Sequence, residues 1–252
     1  MGGSTAELRR ASWRGRTVLV LVAVGGAMTL GACTGTPAGG ATAPTTAPAA
    51  SRTAASTSAT PAPGPVDAEA FLGGLLEKVE GQDSVNVVVD SDYEFLNADL
   101  LLLTGAQRVL LRDAEQSLNV VVIDDVVWTQ DEEPLGSPWT EVDERPEGLE
   151  AAGPSHHVRA WQDGVRSVTR GRTEVVESHT LTTYAVAVRA DAAWATLGMV
   201  TQPGSPDTVT YIVRVDEDGL LRDANATMGD SRVTITYDGW GAPLEIVAPP
   251  RD

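Results

Sequence analysis

The sequence predicts an α+β domain in which a large antiparallel sheet has its apolar face covered by two or three helices. Three observations lead there. About nine or ten short β-rich runs follow one another with polar turn residues between them. Only three stretches carry helical spacing. In the last fifty residues apolar and polar side chains alternate, the pattern of strands with one covered and one wet face.

The first folded element is a helix capped by Asp67, with Phe71, Leu72, Leu75, Leu76 and Val79 on one stripe and Gly81 at its end. The period then changes to two. SVNVVVDSDYEF, ADLLLLTG, QRVLLRDAE and LNVVVIDDVVWTQ read as antiparallel strands, with Asp124-Asp125 as a hairpin turn. GSPWTEVD gives a brief strand that Pro138 confines to an edge. After Pro154, the residues Val158, Trp161, Val165 and Val168 predict a second helix with Ser155 as cap. Strand character returns in RTEVVESHTLTTYAVAV, where Tyr184, Val186 and Val188 share a face. DAAWATLGM predicts a short third helix capped by Asp191. Three strands close the chain: DTVTYIVRV, a turn at Asp218-Gly219, LLRDANATM, and RVTITYDGWG with Val233, Ile235 and Tyr237 on one side.

The folded part is expected over residues 66–252, and what precedes it is of another kind. Arg9, Arg10, Arg14 and Arg16 form a basic arm, and no charge occurs from Thr17 to Ala32. The apolar stretch is shorter than the ~20 residues of a spanning helix, so residues 1–32 read as an export signal. Its small residues Gly31 and Ala32 lead into Cys33, the only cysteine of the chain. Residues 33–65 hold Thr, Ala, Pro, Gly and Ser almost alone, with Arg52 the only charge, and read as a disordered tether. With one cysteine the domain has no internal disulfide and depends on its core. Its surface is strongly acidic: residues 66–252 carry 13 basic against 34 acidic side chains, net −21, and Lys78 is the only lysine. Such a surface repels nucleic acid, so no nucleic-acid partner is expected.

Leu30-Gly31-Ala32-Cys33 resembles the bacterial lipobox. The resemblance implies acylation of the Cys33 thiol, cleavage before it, and a protein tethered by fat to the outer face of the cell membrane. A lone buried cysteine is the alternative. The series from lipobox and Thr/Pro tether through VVVIDDVVWTQ, SPWTEVD, VTRGRTEVVESHTLTTYAVAV and VDEDGLLRD to VTITYDGWGAPLEIVAPP is similar to actinobacterial lipoproteins of the LppX and LprG type, relatives of the LolA-like lipoprotein carriers. The likeness covers residues 66 to 250 and departs from the family at TEVVESHT, which lacks a Gly after the acidic residue. It implies a half-barrel sheet curled around helices, with a hydrophobic cavity that in some relatives holds acyl chains.

A curved apolar face suits acyl chains, because removing apolar area from water contributes ~25 cal/mol per Å² and needs no directional chemistry. The candidates for that face are Val87, Val89, Leu101, Leu103, Val120, Val122, Tyr184, Val186, Val213 and Ile235; the alternative is that they are close-packed core. No enzyme, cofactor or metal is expected. His156, His157 and His179 are the only histidines, and neither zinc-type spacing nor a phosphate loop occurs. Gly229-Asp230-Ser231-Arg232 resembles a hydrolase block, but no histidine follows His179, so it reads as a turn. Two functions stand: a membrane-anchored lipoprotein that binds and transfers a lipid or other hydrophobic ligand, and an envelope interaction or sensory module with a filled core that meets a protein partner.

Overall fold

In the computed structural model, which describes residues 62–92, 94–113, 116–201 and 204–250, twelve strands join in one sheet that does not close. The export signal, Cys33 and the tether through residue 61 lie outside the described residues. The strands are β1 (Gly64–Val66), β2 (Ser84–Ser91), β3 (Phe95–Leu101), β4 (Ala106–Arg112), β5 (Ser117–Ile123) and β6 (Val126–Asp131), then β7 (Thr140–Val142), β8 (Val165–Val176), β9 (His179–Arg189), β10 (Thr208–Val215), β11 (Leu221–Met228) and β12 (Ser231–Asp238). Their order is β1-β8-β9-β10-β11-β12-β2-β3-β4-β5-β6-β7, every pair antiparallel. Two meanders, β2 to β7 and β8 to β12, thus meet where β12 pairs with β2. Pairing begins at Gly64 against Arg170 of β8, so the fold starts two residues earlier than composition places it.

Alternation fixes the inner face. In β2, Val85, Val87 and Val89 are buried; in β3 it is Leu96, Ala98 and Leu100, while Asn97 and Asp99 face outward into a polar ladder with Asn86 and Arg108. Cross-strand pairing lines up one row over eight strands: Tyr184, Val213, Ala224, Ile235, Val89, Leu96, Leu111 and Leu118. At ~4.8 Å per strand this row is about 34 Å long.

The helices cover that face. In α1 (Ala68–Glu80) the backbone N–H of Ala70 donates to Asp67 Oδ1 at 2.8 Å, and Leu72, Leu75 and Val79 are buried. Each such side chain contributes ~1.5–3 kcal/mol. Helix α2 (Pro154–Gly164) buries Val158 and Trp161 against Tyr211 of β10, ring centroids 5.1 Å apart. Helix α3 (Ala190–Ala195) packs beside it, and the Tyr211 hydroxyl donates to the Ala193 carbonyl at 3.0 Å.

Three sequence expectations are corrected. Helix α2 ends at Gly164, and Val165 and Val168 belong to β8. A Cβ at Gly164 would stand 2.2 Å from the Ala192 Cβ, so the α2–α3 contact requires glycine there and the chain turns directly into the strand. The caps of α2 and α3 are Gly153 and Arg189, not Ser155 and Asp191; Asp191 instead sits in the first turn of α3 and pairs with Arg189. Leu101 and Leu103 are out of phase with the inner face. Leu101 shares the outward set of β3 with Asn97 and Asp99, and Leu103 lies in the turn after it, 76% exposed. A one-residue slip exchanges the two faces of a strand, and the run of four leucines from 100 to 103 conceals the phase.

The turns form as their residues dictate. Asp124 and Asp125, both with positive φ, make the β5–β6 hairpin. Glu177 (φ 56) closes the β8–β9 hairpin without the glycine. In the terminal YDGWG, the Trp240 indole donates to the Leu221 carbonyl at 2.8 Å and stacks on Tyr237.

Candidate functional site: a cleft at the end of the inner face

The cross-strand row of apolar side chains ends at buried Leu111 and half-buried Leu118. There the ends of β4 and β5, the loop at Pro146–Gly148 and the chain after α3 bound a cleft of about 520 Å³. Its floor is Leu111, Leu118, Pro146, Leu197 and Met199, and its rim is Glu94, Asp113, Gln116 and Glu147. The volume lies within the ~300–1,000 Å³ of small-molecule sites. Gly148 and Gly198, both with positive φ, form the narrow backbone of one wall. Burial, with the Asp113 charge as a smaller second cause, raises the Glu94 carboxyl above the ordinary glutamate value.

Three other depressions are present, one of which shares Asp113 and Gln116 with this cleft. The largest, about 600 Å³, is polar, lined by Arg112, Ser117, Asp131 and Glu132; hydrogen bonds from Arg112 and Ser117 hold the Glu132 carboxyl down at about 2. One of about 210 Å³ lies between the β3–β4 turn and the 3₁₀ turn at Leu149–Ala152, with Leu101 in its wall. One of about 320 Å³ lies between α1 and α2, over Leu72 and Val165.

Of the sequence candidates, Val87, Val89, Val120, Val122, Val186, Val213 and Ile235 all join one core and are at most 3% exposed. They pack against the helices and border none of these four depressions. Tyr184 is half-buried at the far end of the row from the cleft, under Phe71 of α1, ring centroids 4.3 Å apart. Val89, Val213, Ile235 and Tyr184 share the row that ends in the cleft, while the cleft itself is made by Leu111, Leu118, Leu197 and Met199. Strand parity could have found Leu118, which has the phase of Val120 and Val122. Leu197, Met199 and Glu94 carry no local signal, because distant segments bring them together.

The roof over the core is fastened by His157. Its Nε2 lies 2.6 Å from the Ala151 carbonyl and its Nδ1 2.6 Å from the Tyr237 hydroxyl. A carbonyl only accepts, so Nε2 carries the proton and Nδ1 accepts from tyrosine. Full burial drives the His157 pKa down to about 3, so the ring is neutral. His156 Nε2 meets the Ala195 carbonyl, tying α2 to α3. Ser231 of the hydrolase-like block opens β12 and donates to Asp92, in the turn after β2, at 3.0 Å.

An open antiparallel sheet of this order, with three helices against one face, is an LppX-like fold. Two solved structures carry the comparison. LppX of Mycobacterium tuberculosis, a lipoprotein, superposes with a TM-score of 0.52 at 18% identity, over 71% of this chain and 98% of its own. LprF of Mycobacterium bovis superposes with a TM-score of 0.54 at 16% identity, over 74% of this chain and 99% of its own. At these identities the likeness is one of fold. No family model and no curated protein matches by sequence.

Proposed function

We propose that the chain is a lipoprotein anchored through acylated Cys33 on the outer face of the cell membrane, and that its half-barrel binds a hydrophobic ligand in the cleft over Leu111 and Leu118. The observation that supports this is the continuity of the cleft floor with the buried row behind it: half-buried Leu118 and Met199 join the cleft to buried Leu111 and Leu197 of the core. Burial of a chain there contributes ~25 cal/mol per Å² without any directional group. The protein acts as a non-enzymatic carrier, passing its ligand between membrane and envelope. A tether of about 30 residues, from Thr34 to Pro63, with five prolines supports that role, since it reaches roughly 30 Å as a coil and up to ~90 Å when extended.

Close packing of the seven core candidates supports the second reading, a filled module that meets a protein partner. Native mass spectrometry of the chain lacking residues 1–33 separates the two. The carrier reading expects co-purifying apolar adducts, or uptake of added 1-decanol, and their loss when Leu118→Trp fills the cleft. A bare mass under all conditions leaves the interaction module.

A further inference from the structure

The cleft carries a charge pattern that a purely apolar ligand would not require. Glu94, Asp113 and Glu147 line it, and no lysine, arginine or histidine does. Asp113 is engaged within its own turn, accepting the Gln116 backbone N–H at 2.9 Å and its side-chain amide at 3.3 Å. The Glu94 carboxylate has neither a hydrogen-bond donor nor a cation among the described residues; only its backbone is tied, to Ser91. Elsewhere half-buried or buried acids hold arginines: Asp99 with Arg108, Asp223 with Arg214, Asp216 with Arg222. Arg112, next to Asp113, closes on Glu132 on the other side of the sheet.

Glu94 also lies against the cleft wall. Its Oε1 lies 3.4 Å from the place a Cβ on Gly148 would occupy, so the carboxylate stands in contact range of the cleft wall, where the positive φ of Gly148 favours glycine. A partly desolvated carboxylate without a partner is unfavourable, and a cation set against it removes that cost.

We propose that the cleft takes an amphiphile with a cationic, N–H-donating head, its ammonium between Glu94 and Asp113 and its chain on Leu111, Leu118, Leu197 and Met199. The inference rests on the proposed hydrophobic-ligand site and adds the chemistry of the head.

Three ligands with one chain and different heads test it: decylamine, 1-decanol and decanoate, titrated calorimetrically at pH 7 into the chain lacking residues 1–33, which keeps every described element. Decylamine binds at least tenfold tighter than decanol, and decanoate weakest. Glu94→Gln removes most of the amine's advantage and leaves decanol unchanged. Asp124→Asn, in the β5–β6 hairpin away from the cleft, loses the same charge and leaves the preference intact, which separates the cleft from general attraction to an acidic surface. Glu94 is faced by Asp113 from the β4–β5 turn and Glu147 from the loop before the 3₁₀ turn, while the chain after α3 brings Leu197, Gly198 and Met199 and no charge. Because its pKa is raised above 4.5, amine binding strengthens as pH rises through that raised value, and decanol binding does not follow. Glu94→Gln melts no lower than the parent at pH 7, so loss of binding is not loss of fold. Decanoate binding as tightly as decylamine, or an unchanged preference in Glu94→Gln, overturns the cationic head and leaves the hydrophobic site standing. Failure of all three ligands to bind overturns both.

Discussion

Replacing His157 by alanine is expected to lower the unfolding free energy by about 3 kcal/mol, the sum of a buried void and two polar groups left without partners. The imidazole is fully buried and bridges three elements: α2, which carries it; the 3₁₀ turn, through the Ala151 carbonyl; and β12, through Tyr237. Without it the Tyr237 hydroxyl and the Ala151 carbonyl face a space closed to water. Tyr237→Phe removes one hydroxyl and leaves Nδ1 without its donor, and is expected to cost about 1–3 kcal/mol. The pH dependence has a definite sign. The folded-state pKa, about 3, lies below the ordinary 6.5. Above 6.5 the ring is neutral in both states and its contribution is complete. As pH falls from 6.5 towards 3 only the unfolded chain takes the proton, and stability declines by up to ~1.4 kcal/mol per pH unit. Chemical denaturation at pH 7 and pH 5 checks this: the parent should lose stability between them, and His157→Phe should lose less. Equal losses in the two proteins would assign the acid sensitivity to other groups.

Cys33→Ser is expected to abolish acylation altogether. The thiolate is the one strong nucleophile available at the end of the proposed export segment, and a serine hydroxyl does not replace it. Each methylene of an acyl chain contributes ~0.8 kcal/mol to membrane residence, and two chains hold a protein stably where one is marginal. An acidic body needs such an anchor, since anionic headgroups repel it. Palmitate labelling and the intact mass of the membrane-extracted protein check it. The parent should begin at a lipid-modified Cys33 with residues 1–32 removed, and the serine variant should carry no label. Labelled Cys33→Ser protein would place the lipid elsewhere and sink the anchor.

Most of the sheet was legible because its phase is written in polar residues. Arg232, Thr234 and Thr236 mark the outer face of β12 and leave Val233, Ile235 and Tyr237 inside; Asn86 and the outward Asp99 do the same for β2 and β3. The phase was lost where the side chains stop discriminating. In LLLL, from 100 to 103, every residue is apolar, and only Asp99 and Asn97, two and four positions upstream of Leu101, tell which parity faces the core. Helix α2 was overrun for the opposite reason. Val165 and Val168 extend its spacing by chance, while the stop at Gly164 comes from its contact with Ala192, a partner 28 positions away in sequence. His157 offered no sequence signal beyond its type, since its partners lie 6 and 80 residues off.

The candidate site divides along the same line. Parity along single strands reaches Val89, Val213 and Ile235, the buried length of the row. The open end is composed by tertiary structure: β4 and β5 deliver Leu111 and Leu118, the segment after α3 delivers Leu197 and Met199, and the loop before the 3₁₀ turn supplies Pro146 and Glu147. An apolar row says that a strand face is covered; where the cover stops is decided by how far the helices extend across the sheet.

Methyl NMR of the chain lacking residues 1–33, titrated with a spin-labelled fatty alcohol, tests the central claim most directly. A ligand seated in the cleft broadens the methyl signals of Leu111, Leu118, Leu197 and Met199 first, and leaves Leu103 and Val175, exposed on hairpins at the opposite strand ends, sharp. Broadening spread evenly over exposed methyls, or none at saturating ligand, would contradict a hydrophobic binding site at the end of the inner face.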